Sequence, residues 1–237
     1  MDFPVFLSKR AISAAVVVFS AAGLSGCFDL EQRVGLHSNG SGGYDVVVSA
    51  DGIVADGLEK KPADIDVGDN RAVRHTVRRG DRIVETSEVA FNDLSDLKLD
   101  DETLSLHVKG KKFFGLGGTE VNFHRSFHVD HARHHHDNDD NHLGYDILQS
   151  MFGDHTYTFA VWLPGEIEHV APVRVGDRIV KPVVWSDRYG HTVVWKMKLT
   201  DMFMADRLDF DVDFAAHGDF RDAQSQAGHH RHRRDET

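Results

Sequence analysis

The clearest pattern along the chain is an alternation of apolar and polar residues with a period of two. From Val121 to Val129, Val121, Phe123, Phe127 and Val129 face one way, while Asn122, His124, Ser126 and His128 face the other. Tyr157 to Leu163 puts Tyr157, Phe159, Val161 and Leu163 on one face. Thr192 to Leu199 does the same with Val193, Trp195, Met197 and Leu199. Arg207 to Ala215 buries Leu208, Phe210, Val212 and Phe214 and turns Asp209, Asp211 and Asp213 outward. Such alternation predicts sheets with one wet face, hence a mostly antiparallel arrangement. The valine run from Tyr44 to Ser49 and the stretch Leu104 to Val108 read as further strands. Arg71 to Val77 and Asp81 to Val89 flank Arg78-Arg79-Gly80 as a hairpin. Phe91, Leu94, Leu97 and, less closely, Leu99 are near helical spacing, which predicts a short helix over Phe91 to Leu99. The expected fold class is α+β: mostly antiparallel sheet with one or two short helices.

Punctuation between these segments is turn chemistry. Ser38-Asn39-Gly40-Ser41-Gly42-Gly43 reads as a short flexible hinge or turn, and Pro164-Gly165 as a sharp turn. The octapeptide from Val77 to Val84 echoes that from Val173 to Val180, both turning at Gly-Asp. Shared hairpin chemistry explains this more simply than a duplicated half-domain. Arg79-Gly80-Asp81 is read as that turn and not as an adhesive tripeptide.

The first 26 residues break the pattern. Lys9 and Arg10 precede a nearly uncharged run from Ala11 to Leu24, about 14 residues long, in the range of a signal-peptide core and short of a bilayer span. Leu24-Ser25-Gly26-Cys27 then resembles the lipobox of bacterial lipoproteins. That resemblance implies cleavage before Cys27 and a diacylglycerol on its thiol, with acylation of the new amino terminus often added. Two or more acyl chains give stable anchoring where one does not. The expected divisions are a cleaved leader over 1–26, the lipidated cysteine and a short linker over 27–43, a single domain over 44–216 and a disordered tail over 217–237. The expected location is the cell membrane or outer membrane, with the domain on the non-cytoplasmic side.

Composition narrows the function classes. The chain has 237 residues, 41% hydrophobic and 27% charged, an ordinary globular mix. A formal net charge of −11 favours solubility and argues against a nucleic-acid partner. Cys27 is the one cysteine, which excludes an intramolecular disulfide, a C-x-x-C redox pair and a cysteine-rich zinc site. There is no G-x-S-x-G, no H-E-x-x-H and no phosphate-binding loop; Gly115-Leu116-Gly117-Gly118 lacks the lysine and following helix such a loop needs. No catalytic residues are assigned, and a non-enzymatic role is expected. The Asp209, Asp211 and Asp213 row lacks calcium-loop spacing and reads as a solvated face.

The histidines carry the remaining candidate chemistry. Asp130 to His142 holds five imidazoles among Asp137, Asp139 and Asp140, and the tail holds His229, His230 and His232. Imidazole and carboxylate together suit zinc, nickel or copper. His124 and His128 share a face, but four strand residues span about 13 Å, too far for one ion. His128 and Asp130 are close enough. His131 and His134 meet if the stretch curls into a helical turn, and His135, His136 and His142 lie where the chain can wrap an ion at some cost in ordering entropy. The candidate metal ligands are therefore His128, Asp130, His131, His134, His135, His136 and His142, with a divalent transition metal as the cofactor. A pH-sensing role is a further reading. Arg231, Arg233 and Arg234 in the tail have a weaker claim on anionic headgroups.

Taken together, several pieces resemble the LppM-type bacterial lipoprotein domain. They are the lipobox ending at Cys27, the strand directly after the leader, Phe91-Asn92-Asp93-Leu94, a strand running into Leu163-Pro164-Gly165-Glu166-Ile167, and the tryptophan strand at Trp195. The likeness covers roughly residues 27 to 215. It implies an α+β envelope domain without established catalysis, in contact with the membrane, its lipids or an envelope protein. The histidine-rich insert and tail depart from the family's pattern.

Overall fold

The computed structural model describes residues 28–52, 55–56, 72–99, 102–111, 118–128, 149 and 152–227. The strands are β1 (Phe28–Leu36), β2 (Gly42–Asp51), β3 (Val73–Arg79), β4 (Arg82–Phe91), β5 (Lys98–Leu99), β6 (Glu102–Lys111), β7 (Thr119–His128), β8 (Thr156–Leu163), β9 (Glu166–Val170), β10 (Val173–Val175), β11 (Arg178–Val180), β12 (Val183–Ser186), β13 (His191–Lys198), β14 (Arg207–Ala216), β15 (Ala223–Gln224) and β16 (Gln226–Ala227). A 3-10 turn spans Leu94–Asp96, and helix α1 spans Leu199–Met204.

Two sheets face each other. The larger has the order β12-β13-β8-β1-β2-β4-β3, and the smaller β15-β6-β7-β14-β9. Every pairing within them is antiparallel except β1 with β8. Alternating residues of the inner faces supply one core that draws on both sheets. Its centre is aromatic. Phe159 stacks on Trp195 at 5.7 Å and on Phe123 at 6.4 Å, and Trp195 meets Phe210 edge-on at 5.2 Å. These rings join β8 and β13 of the large sheet to β7 and β14 of the small one, and aromatic pairs add to the stabilisation from their buried area.

The strand-dominated fold read from the alternation is observed, but helix is scarcer than an α+β class suggests. Phe91 ends β4, Leu97 follows the turn and Leu99 ends β5, so the apparent helical spacing comes from a strand, one 3-10 turn and a second strand. Asp93 caps that turn by accepting from Ser95, and Asp96 reaches back to the Asp93 N–H.

Residues 28–36, a linker in the expected domain division but a strand in the family resemblance, are not a linker. They form β1, in the middle of the large sheet, with Phe28, Leu30, Val34 and Leu36 buried. The hinge is confined to the β1–β2 turn, where His37 N–H donates to the Ser41 carbonyl at 2.7 Å. Residues 217–227, expected in the tail, belong to the body. Phe220 packs edge-on against Phe214 at 5.6 Å, and Ser225 exchanges hydrogen bonds with the backbone of Leu104. The body therefore includes β16, and the histidines and arginines beyond it lie outside the described residues.

Both Gly-Asp hairpins form, with Gly80 at φ 64° and Gly176 at φ 57°. One closes the edge pair β3–β4 of the large sheet; the other closes the small ribbon β10–β11. Different lengths and different sheets agree with shared turn chemistry. Pro164-Gly165 turns the chain from β8 in one sheet to β9 in the other. Gly165 has φ 112°, and a Cβ there would lie 2.3 Å from the Ala215 carbonyl oxygen, so glycine is required.

Candidate functional site

Among the described residues, the most concentrated polar chemistry is inside the sandwich, at positions where the alternation is broken. Arg125 has the parity of Phe123 and Phe127 on β7, so the strand sends its guanidinium inward. Gln32 has the parity of Leu30 and Val34 on β1, and Glu102 that of Leu104 and Leu106 on β6. Tyr44 and Tyr157 come from the inner faces of β2 and β8. All five side chains are buried, and Arg125 is 0% exposed.

They form one closed network. Arg125 Nε donates to Glu102 Oε2 at 2.5 Å, Nη1 donates to the Tyr157 hydroxyl, and Nη2 to Gln32 Oε1, both at 2.5 Å. Tyr157 donates to Gln32 Oε1 at 2.6 Å, Gln32 Nε2 donates to the Tyr44 hydroxyl at 2.8 Å, and Tyr44 donates to Glu102. The guanidinium also lies 4.3 Å from the Phe159 ring centre and 5.3 Å from that of Phe210, within cation–π range. None of the five leaves a buried side-chain nitrogen or oxygen without a partner.

The electrostatics hold the arginine and the two phenols of the cluster in one protonation state. Burial opposes the charge on Arg125, but Glu102 and the two phenols outweigh it and hold Arg125 above its ordinary value. Burial, reinforced by Glu102, raises Tyr157 to about 12; Tyr44 is raised for the same reasons. At neutral pH the arginine stays charged and the phenols stay protonated. Such a cluster fastens the two sheets in one register.

The next residue along β7 faces outward. His124 Nδ1 lies 2.8 Å from Asp211 Oδ1, and its Nε2 lies 3.7 Å from Asp209 Oδ1 on β14. The hydrogen bond to Asp211 raises the imidazole above its usual range against the opposing effect of partial burial. Asp213, further along the row, accepts from Lys109 at 2.7 Å and Asn122 at 2.8 Å. The aspartate row is thus a neutralised outer face, as its alternation implies.

Of the metal candidates, only His128 is among the described residues. It is the last residue of β7, exposed, with Nε2 3.4 Å from Ser126 Oγ. Asp130, His131, His134, His135, His136 and His142 lie outside the described residues, as does Cys27. Among the described residues no cluster of three or more His, Cys, Asp or Glu is arranged to hold a metal ion, and no helix is long and apolar enough to cross a membrane. The Arg125 network escapes a search for catalytic motifs. Its signal is positional: Gln32, Glu102 and Arg125 each sit where the alternation calls for an apolar residue.

The end of the body beside Cys27 is tightly fixed. Phe28 N–H donates to His155 Nδ1 at 3.1 Å, and the Leu199 N–H donates to the His155 carbonyl at 2.9 Å. Asp29 accepts from both the Thr156 N–H and hydroxyl, at 2.9 and 3.0 Å, and from Arg82 at 3.2 Å. These bonds offset partial burial and hold the Asp29 carboxyl below its usual range.

No family model and no curated protein matches the chain. Among solved structures, the folded domain of LppM from Mycobacterium tuberculosis is similar over 81% of this chain and 93% of that one, at 14% sequence identity and a TM-score of 0.39. At that score neither a shared fold nor a shared function follows.

Proposed function

We propose that the chain is an envelope lipoprotein, anchored through lipid on Cys27, whose two-sheet body serves as a non-enzymatic lipid-handling or assembly module. The observation that carries this reading is the absence of slack after the lipobox. Cys27 is followed at once by β1, a central strand whose first residue is hydrogen-bonded into the body. Lipid on that thiol would hold the body within one residue, about 3.8 Å of chain, of its anchor. The body would then be oriented against the bilayer and not hang from a flexible stalk. The leader, with Lys9 and Arg10 before its apolar run, supports export, and acylation at two or more chains supports stable attachment.

Replacing Cys27 with serine tests this in the native host. The expected result is an uncleaved, unacylated precursor of greater mass. A Cys27→Ser chain that still reaches its mature size and remains in the membrane fraction would remove the lipid anchor from the account.

Transition-metal binding by the stretch from His128 to His142 is the second reading, favoured by five imidazoles within twelve residues of sequence, from 131 to 142. Stoichiometric zinc, nickel or copper on the native chain, lost on deletion of residues 131–142, is the result that would promote it.

A further inference from the structure

The outer face of the large sheet is divided in two. Paired residues on neighbouring strands share a face, so the register assigns each side chain. On β13, Val193, Trp195 and Met197 point into the core, which leaves Thr192, Val194, Lys196 and Lys198 outside. Trp185 pairs with Thr192, and Thr192 with Trp162; Val183 pairs with Val194, and Val194 with Ala160. Trp185 and Trp162 therefore lie on one outer face, two strands or about 10 Å apart. Trp185 is 59% exposed and Val183 51% exposed, with Val194 and Trp162 half-buried beside them. Lys196 and Lys198 extend the same face and are exposed.

No carboxylate occupies an outer position on β8, β12 or β13, where the neighbours of the two lysines are Thr156 and Thr158. The other half carries five acids at outer positions on β1, β2 and β4, Asp29, Glu31, Asp45, Asp51 and Glu88, against Arg33 and Arg82, which pair with Glu31 and Asp29. The contrast extends to the whole segment from Val173 to Lys198. It holds six Lys and Arg against two Asp, a net +4, in a chain whose total is −11. Exposed tryptophan with adjacent lysine is the pairing that suits a membrane interface: indole prefers the headgroup level, and ammonium prefers anionic lipid.

The lysine end of this face also meets the anchor. Lys198 pairs with Thr156, and His155 binds both Phe28 and Leu199. From there to Trp185 the face runs about 20 Å along the strands. We propose that the outer face of β8, β13 and β12 is the surface that lies on an anionic phospholipid bilayer. Val183, Trp162, Trp185 and Val194 seat at the interface, and Lys196 and Lys198 pair with headgroups. This rests on the lipid-anchor reading, because lipid on Cys27 sets one end of the face at the membrane. With anchor and face engaged together, the second contact becomes intramolecular and gains by effective concentration.

The test uses the mature chain purified from membranes and reconstituted into vesicles, either phosphatidylglycerol-rich or pure phosphatidylcholine, whose lipids carry bromine near the headgroup as a fluorescence quencher. In phosphatidylglycerol vesicles the tryptophan emission is expected to be quenched, and Trp185→Phe to remove roughly half of the quenched signal, one of two interfacial indoles. The Lys196→Glu/Lys198→Glu chain is expected to co-sediment through its lipid yet lose the quenching. Trp195, fully buried, reports that each variant is folded. Co-sedimentation without quenching would overturn the docking face and leave the anchor standing. Salt-sensitive binding with Trp185 quenched, by a chain that carries no acyl mass, would overturn the anchor and leave the face. Shielding of Trp185 that depends on protein concentration and not on lipid would assign the face to a second copy of the chain, and overturn the proposal.

Discussion

Arg125 and His124 are neighbours on β7, and the side chain of each meets a carboxylate on an adjoining strand. Their surroundings are opposite. Arg125 is 0% exposed and is enclosed by Glu102, Gln32, Tyr44, Tyr157 and three aromatic rings. The His124 side chain is 27% exposed and Asp211's is 39% exposed, so water competes for every contact. The geometry of the two pairs is similar; the energetics are not. In the sealed site, removing one partner strands a charge that water cannot reach. On the open face, water takes the place of the lost partner.

Arg125→Ala gives the largest effect. It leaves Glu102 buried without its cation, and a loss of about 3–5 kcal/mol is expected. Chemical denaturation measures it, and a loss below about 1 kcal/mol would show that the interior pair behaves like a surface one. The Arg125→Met/Glu102→Met chain sharpens the comparison, because removing both charges avoids the stranded group; it should recover much of the stability lost by Arg125→Ala.

Tyr157→Phe comes next. It deletes the hydroxyl that accepts from Arg125 and donates to Gln32, leaving one guanidinium donor unmatched in the core, and about 1–3 kcal/mol is expected. A neutral result in the same denaturation measurement would mean that Gln32 alone satisfies that end of the network.

Asp211→Asn should cost the least, below about 1 kcal/mol, and depend on pH. Because Asp211 raises His124, the pair's stabilisation is complete below the ordinary imidazole range near pH 6.5 and is lost as pH rises through the raised value. The parent's advantage over Asp211→Asn should therefore shrink between mildly acidic and alkaline pH. A constant difference across that range would show that the hydrogen bond does not depend on the imidazolium.

Much of the fold was legible because period-two alternation reports a sheet with one buried face. It located β7, β8, β13 and β14, while turn residues located both Gly-Asp hairpins. Alternation alone missed β1, which only the family resemblance placed directly after the leader, because Gln32 interrupts the series Leu30, Val34, Leu36 and the glycine-rich turn beyond it made the stretch look like a linker. The same kind of interruption hid the Arg125 network. A charged residue at an inner position looks like noise in one strand. Its meaning emerges only when Glu102 and Gln32 arrive from strands distant in sequence, because a buried cation is tolerated when such partners converge on it. The short helix over Phe91 to Leu99 failed for a different reason: three leucines and a phenylalanine reach the core from three successive elements, mimicking one helical face. The chemistry assigned to Cys27 and to the histidine stretch lies outside the described residues, so its support stays with the sequence.

The most direct test of the anchored-module account is the intact mass of the mature chain extracted from the membranes of its own host. The account predicts an amino terminus at Cys27 carrying diacylglycerol and, where the host adds it, a further acyl chain. An unmodified Cys27, or a mature terminus at any other residue, would contradict it.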